Sequence, residues 1–492
     1  MSNPPNDAPN DVVVEGDVNE DGQGLQRGLS NRHLQLMALG GAIGTGMFMG
    51  SSNTINQAGP SSMLVYAVVG FFLYFMMRAM GEMLLSNLKY KSFRDIAEDV
   101  LGPAGGFIAG WTYWFAWIVA AMGDLAAITG YARFWWPEVP KWLPAAVLAL
   151  LLFVLNVVAV KYFGEAEFWF ALIKLVAVGA LIIVAASLLF SGFVSEAGHR
   201  ATVENLWNDG GFFPNGFPGF LAGFQIAFFA FVGLEVVGTA AAETHNPERN
   251  LPKAINAIPV RLALFYVLAL AAICVVIPWR AVVPGESPFT AMFQLSGFGA
   301  AASVMNFVLL TAAASSDNSG LYSTSRMMYG LAEDGQAPRI FGKLSRRNVP
   351  QNALICSCLL LLCGIGFLYA SETINQAFVL VTSITSVLFL FIWALIVVCY
   401  LVYRKKHPEL HAKSTYKMPG GVFTAWMVLV FFAVSLVILC LEEETLRAVL
   451  VTPIWFVIII PCYFLRDFFR YFFGEFLPTF FRKAVQLFRI QR

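Results

Sequence analysis

The sequence predicts an all-α integral membrane protein, and three observations do so. Of its 492 residues 58% are hydrophobic and only 13% charged, with a mean hydropathy of +0.67; a soluble globular chain carries roughly 25% charge. Apolar runs of about 20 residues, enough to cross a ~30 Å hydrocarbon core, recur along the chain. Tryptophans gather near the ends of those runs, as at Trp135, Trp136, Trp142, Trp207 and Trp279, where interfacial belts form. A net charge of +1 names no acidic partner, and no nucleic acid is expected.

Taken in order, residues 1–28 are polar and acidic and read as a disordered tail without an apolar signal segment. About twelve candidate spans follow, centred near Ile43, Phe72, Val119, Leu152, Gly179, Phe231, Leu270, Leu310, Leu360, Leu390, Val430 and Val457. Alternate loops carry Lys89, Lys91, Arg94, Lys161, Arg249, Lys253, Arg339, Lys343, Arg346, Arg347, Arg404, Lys405, Lys406, Lys413 and Lys417. The opposite set holds Lys141, Arg200, Arg280 and Arg447 and ends in Glu442, Glu443 and Glu444. This bias makes the first side cytoplasmic, and an even number of spans returns both termini there. The closing stretch, 467–492, mixes phenylalanines with basic residues and would either lie on the membrane surface or fray. All seven cysteines (Cys274, Cys356, Cys358, Cys363, Cys399, Cys440 and Cys462) sit in apolar runs without zinc-type spacing and are expected to pack in the core.

The first span is unusual. Residues 40–50 read GGAIGTGMFMG, although each glycine in a helix interior costs about 1 kcal/mol against alanine. Small residues can serve close helix packing, and Gly40/Gly44 and Gly46/Gly50 have the GxxxG spacing. The alternative is an unwound segment, which survives at that depth only where it lines a cavity. Its free amide groups would suit a carboxylate and its free carbonyls an ammonium, the two charges of an amino acid. The sixth span, FQIAFFAFVGLEVVGTAAAE at 224–243, is interrupted similarly, with Gly233 and Glu235 near its middle. If spans one to five and six to ten are two halves, the breaks occupy corresponding places, as in transporters built from inverted repeats.

Ionisable residues within spans are functional candidates by default. Lys174 would either snorkel to the interface or, cut off from water, exchange a proton. Asp124 would line the substrate path or form a structural ion pair. Asp317 would titrate, pair with Lys174, or face a polar cavity. Arg78 and Glu82, one turn apart in RAMGEM, are expected to bridge each other. Glu165 is expected at the interface. His33, His199, His245, His407 and His411 lie at span ends or in loops and read as solvated, with no metal-ligand spacing.

The motifs RHLQLMALGGAIGTGMFMG, RAMGEMLLSNLKYKSF, GWTYWFAW, GEAEFWFALIK, FVGLEVVGTAAAET, SGLYSTSRMMYGLAEDG and YKMPGG resemble the amino acid–polyamine–organocation superfamily, specifically bacterial amino acid permeases, from about Leu29 to Leu465. Within that group, LWNDGGFFPNG, LAGFQIAFFAFVGLE and LVTPIWF are most similar to permeases for D-serine, D-alanine and glycine. The resemblance implies a LeuT-like 5+5 inverted repeat with broken helices 1 and 6, plus two further helices. That gives a transport core over 29–402, helices 11 and 12 with their preceding loop over 403–466, and the 467–492 tail. It further implies amide donation to a substrate carboxylate from Gly44, Thr45 and Gly46. Carbonyls for the ammonium would come from Ala42, Ile43, Phe229, Ala230 and Val232, and the Phe229 ring would be the gate. Ser315, Ser316, Asn318 and Ser319 match an eighth span that lines the same region in sodium-driven relatives. Lys174 and Glu235 match residues linked to coupling or gating, and with Asp124 and Asp317 they are the proton-coupling candidates. Asp317 stands where the family usually has a small or uncharged residue.

An intramembrane enzyme would need a nucleophile–base set or a metal pair at depth, and the sequence has no HExxH or matched GxSxG triad. A permease-like sensor would need a sizeable soluble output region. The expected function is therefore proton-coupled uptake of D-alanine, D-serine and glycine across a bacterial inner membrane, without a cofactor. Transport of aromatic or other neutral L-amino acids, or gradient-independent exchange, would use the same site.

Overall fold

The computed structural model describes residues 43–158, 160–239, 246–295, 297, 299–345 and 349–471, with the backbone alone over 157–158, 160–166 and 466–471. The expectations resting on Gly40, Gly41, Ala42, His33, His245, the Glu165 side chain, the 1–28 tail and the chain beyond residue 471 lie outside the described residues.

Among the described residues every regular element is helical; the only β-type pairing is one isolated bridge, Val194–Arg200. Hydrocarbon explains this, since a helix satisfies its own backbone groups where no water can. In chain order the elements that position the site begin with two short helices, α1 (Thr45–Phe48) and α2 (Gly50–Ala58), followed by α3 (Ser62–Ser86). Then come α4 (Phe93–Leu101), α5 (Pro103–Arg133), α6 (Trp142–Val158) and α7 (Val160–Ser191). The second half opens with α8 (Gly216–Ala222), α9 (Phe224–Ala227) and α10 (Val236–Thr239). It continues through α11 (Pro247–Asn256), α12 (Ile258–Leu262), a π-helical turn at Ala263–Leu268, and α13 (Ala269–Val276). After α14 (Pro288–Leu295) and α15 (Gly299–Glu333) the chain runs through α16 (Gln351–Leu362), α17 (Gly364–Ala370) and α18 (Ile374–Lys406). It closes with α19 (Pro408–Lys413), α20 (Gly421–Leu439) and α21 (Glu443–Tyr471).

Among the described residues, nine helical runs are long and apolar enough to cross a membrane, or ten if the bent pair Gly216–Ala227 and Phe229–Thr239 is one span. About twelve were expected. Part of the difference has a visible cause. Thr45–Ser86 counts as one run of 42 residues, yet it turns at Gly59, whose φ is +62°. A Cβ there would also stand 2.3 Å from Pro214 Cγ. Trp142–Asn156 is apolar but shorter than a full span.

The bundle centres on α5 and α15, which pack on each other, and α5 also packs on α18. Small residues let the backbones approach: a Cβ on Gly320 of α15 would lie 2.6 Å from the Trp117 indole of α5. Cys274, Cys358 and Cys399 are buried as expected, but Cys363, Cys440 and Cys462 are exposed. An apolar run has an outward face too, and these thiols occupy it.

Two sequence expectations fail at one end of α3. Arg78 and Glu82 do not bridge each other, because segment 407–418 folds over that turn and offers both better partners. Arg78 donates to Asn256 Oδ1 at 2.8 Å and to the Lys417 carbonyl, and its guanidinium lies 3.8 Å over the Tyr416 ring. Glu82 is fully buried. It meets His411 Nδ1 at 2.5 Å and accepts the Met418 N–H at 2.7 Å. His411 is thus the second correction, a partly buried carboxylate partner rather than a solvated loop residue.

Gly320→Ala is expected to destabilise the bundle by about 1–3 kcal/mol through overpacking, read as a lower melting temperature of the purified protein in detergent. An unchanged melt would mean that the α5–α15 approach is not held by this glycine.

Candidate substrate and coupling site

At Gly44 the backbone is extended (φ −128°, ψ −162°), and helix begins only at Thr45. The Gly44 carbonyl accepts from the Met47 and Phe48 amides at 3.1 and 3.2 Å, so the amide groups of Gly44, Thr45 and Gly46 precede the first bonded turn. Such groups have no partner within their own helix. In the sixth span, Val232 has ψ 132° and Gly233 has φ +103°, and the helix resumes at Val236. Gly233 adopts a conformation that side chains disfavour.

The chain at Gly44–Gly46 meets the interruption of the sixth span. A Cβ on Gly46 would fall 2.6 Å from Ala230 Cα and 2.9 Å from the Phe229 carbonyl carbon, so only glycine allows this backbone-to-backbone approach. Tyr266, from the π-helical turn, donates its hydroxyl to the Ala230 carbonyl at 2.7 Å and stacks on Phe231 at 4.8 Å between centroids. The Phe229 carbonyl accepts the Val232 N–H at 3.2 Å. Of the carbonyls expected to face an ammonium, those of Phe229 and Ala230 are therefore already engaged once, and each keeps a second lone pair. The Phe229 ring is buried, edge-on to Phe378 at 5.9 Å. Its tip lies 3.7 Å from where a Cβ on Gly123 would sit.

Charged residues surround this junction. Asp124, buried on α5, accepts a hydrogen bond from Thr45 Oγ1. Ser316 is half-buried, stands beside Asp124, and its Oγ lies 3.6 Å from a Cβ placed on Gly44. Asp317 is fully buried and close to Asp124. Its carboxyl faces that of Asp124, whereas the carboxylates facing Lys174 among the described residues are Glu167 and Asp124. Glu235 is fully buried and ties the second break together, its Oε2 accepting the Gly233 N–H at 3.2 Å and Trp393 Nε1–H at 3.4 Å. Lys174 is fully buried rather than snorkelling, and its Nζ donates to Ser315 Oγ at 3.0 Å. Ile43 is buried beside these groups.

One charged residue escaped the sequence reading. Glu167, 1% exposed on α7, accepts from Ser315 Oγ at 2.8 Å. It precedes Lys174 by seven residues, two helical turns, and that interval was the available signal.

A cavity of about 470 Å³ runs from Lys89 and Tyr90 inward to Thr239, Tyr322 and Ser323. At its rim the buried Arg94 pairs with Glu98 at 3.1 Å, Asp95 at 3.4 Å and Asp334. Burial first, and then its hydrogen bond to the Asp99 carboxylate, hold the Tyr90 phenol protonated above its ordinary range. The opposite end is shut. The Gly285 amide donates to Ser52 Oγ at 3.1 Å, Asn53 and Asn375 exchange Nδ2–H···Oδ1 hydrogen bonds at 3.2 and 3.3 Å, and Phe48 meets Phe289 edge-on at 4.9 Å.

The sequence matches the amino acid permease family over residues 33–470. It is 54% identical over 445 residues to the D-serine/D-alanine/glycine transporter of Escherichia coli K12, covering 90% of this chain and 95% of that one. Amino-acid permease AapA of Bacillus subtilis is 49% identical over 441 residues, 90% and 95% of the two chains. The aromatic amino acid transport protein AroP of Escherichia coli K12 is 40% identical over 448 residues, 91% and 96% of the two chains.

Gly46→Ala is expected to cut binding of labelled amino acid by about tenfold or more, a cost of ~1.4 kcal/mol or greater. Gly44→Ala, which meets only ordinary contact, should leave the melting temperature unchanged. Equal binding and equal melts for the two variants would mean that the Gly46–Ala230 contact does not shape the site.

Proposed function

The chain belongs to the amino acid permease family, and from that premise we propose that it imports small neutral amino acids (D-alanine, D-serine and glycine) by proton symport. The observation that carries the reading is the meeting of the helix start at Gly44–Gly46 with the interrupted sixth span at Ala230, beside buried charged side chains. Amides of Gly44, Thr45 and Gly46 hold the substrate carboxylate at the positive end of α1. The ammonium rests against carbonyls of Ala42, Ile43, Phe229, Ala230 and Val232, with Ser316 beside it. Backbone groups cannot distinguish one amino acid from another, so the small-substrate assignment is supported by the identity to the D-serine/D-alanine/glycine transporter.

Transport proceeds by alternating access within a 5+5 inverted repeat, in a bacterial inner membrane with both termini cytoplasmic. The closed end near Ser52, Asn53 and Phe48 is the outer gate, and the cavity beside Arg94 is the inward exit. Phe229 seals the occupied site. A proton taken up by the buried set of Lys174, Glu235, Asp124 and Asp317 biases the two facings, because only unequal stabilisation can shift such an equilibrium.

Purified protein in proteoliposomes, with and without an inward proton gradient, separates the alternatives. Gradient-driven uptake of labelled D-alanine and glycine, with little L-phenylalanine, is the expected result. Preferential L-phenylalanine uptake would move the chain toward the aromatic permeases. Exchange indifferent to the gradient would remove the proton.

A further inference from the structure

The charged candidates for coupling leave Glu167 without a task, although a carboxylate inside a span is costly to keep. Its surroundings are specific. Oε1 accepts from Ser315 Oγ at 2.8 Å, and Ser319 stands beside the same carboxylate. Ser315 Oγ in turn accepts from Lys174 Nζ at 3.0 Å. Glu167, Ser315 and Lys174 are all buried, at 1%, 0% and 0% exposure. A structural ion pair at this depth gains most when ammonium and carboxylate touch and satisfy each other's hydrogen bonds. Here a hydroxyl stands between them, accepting on one side and donating on the other. That arrangement shortens no charge separation, but it does join the two groups by a continuous hydrogen-bonded path.

We propose that Glu167 is the acceptor of the coupled proton, which leaves Lys174 through Ser315. This inference rests on the symport reading above. In the step, an N–H bond of the Lys174 ammonium breaks as Ser315 Oγ gains that proton. The original Ser315 O–H breaks as Glu167 Oε1 gains its own. Lysine and carboxyl both end neutral, the hydroxyl is restored, and no co-reactant is consumed. The transfer cancels a separated charge pair where the dielectric is low, which favours it. Other groups near the relay are Asp124 from α5, which remains the carboxylate facing Lys174, and Ser319 from α15, beside Glu167. Glu167 lies about 10 Å along α7 from Lys174, toward the end of that span that the charge bias places in the cytoplasm. The hop therefore carries the proton inward.

The test uses the full chain in proteoliposomes with a trapped pH dye. It compares the parent protein with Glu167→Gln, Ser315→Ala and Glu167→Asp. The probe is labelled glycine, or L-phenylalanine if the uptake comparison selects it. Substrate exchange without a gradient, gradient-driven accumulation and substrate-dependent internal acidification are read for each. Glu167→Gln and Ser315→Ala are expected to keep exchange within about twofold while accumulation falls about tenfold or more and acidification disappears. Glu167→Asp should recover part of both. Accumulation and acidification at the parent level in Glu167→Gln would overturn the relay and leave symport standing. Loss of exchange together with accumulation in all three variants would make Glu167 structural and likewise overturn it. A parent protein that exchanges but never accumulates would overturn symport itself, and the relay with it.

Discussion

Hydrocarbon leaves a backbone polar group no water to bond with, and this bundle holds an extended backbone at Gly44 and a helix broken at Val232–Gly233. Much of the site stems from that conflict. Tyr266 reaches across to the Ala230 carbonyl, Glu235 takes the Gly233 amide, and Trp393 orients Glu235 in turn. Gly46 has no side chain because the other broken backbone occupies the space one would need. The groups left uncapped, the amides ahead of the first turn of α1, are those an amino acid's carboxylate can take.

The same low dielectric governs the charges. Three carboxylates (Asp124, Glu167 and Asp317) and one lysine (Lys174) are buried together between α5, α7 and α15. Bare charges would be prohibitive there, and hydroxyls stand against Asp124, Glu167 and Lys174. Serine and threonine do most of the bridging: Thr45 to Asp124, Ser315 to both Glu167 and Lys174. A hydroxyl donates and accepts at once, so such a cluster can change protonation without rebuilding its contacts.

Residue by residue, the sequence disclosed features that violate a local rule and concealed those that depend on distant neighbours. The Gly233–Glu235 pair betrays a broken helix, because glycine and glutamate are out of place in an apolar run, and the glycines of GGAIGTGMFMG mark the extended backbone at Gly44. The all-helical membrane character was legible from composition, whereas the ends of the spans were not, since turns such as Gly59 and breaks such as Val232–Gly233 blur where one run ends. Glu167 was missed because hydropathy locates depth only to within a few residues and it stands near the start of its span. The Arg78–Glu82 bridge was misjudged for another reason: helical spacing shows that two side chains can meet, but not that Tyr416, Met418 and His411 arrive from far along the chain with better bonds.

The π-helical turn at Ala263–Leu268 gives the seventh span an unusual sensitivity. It accommodates one more residue per turn than an α-helix would, and Tyr266 sits within it. Deleting a single residue there would let the turn close to ordinary α-helix with the two sides of the span still in register, but would reset the residues within it, the phenol facing Ala230 among them. Most substitutions on its outward face would leave that hydroxyl where it is. At this point the span itself can lose a residue, while the Tyr266–Ala230 contact cannot survive the loss.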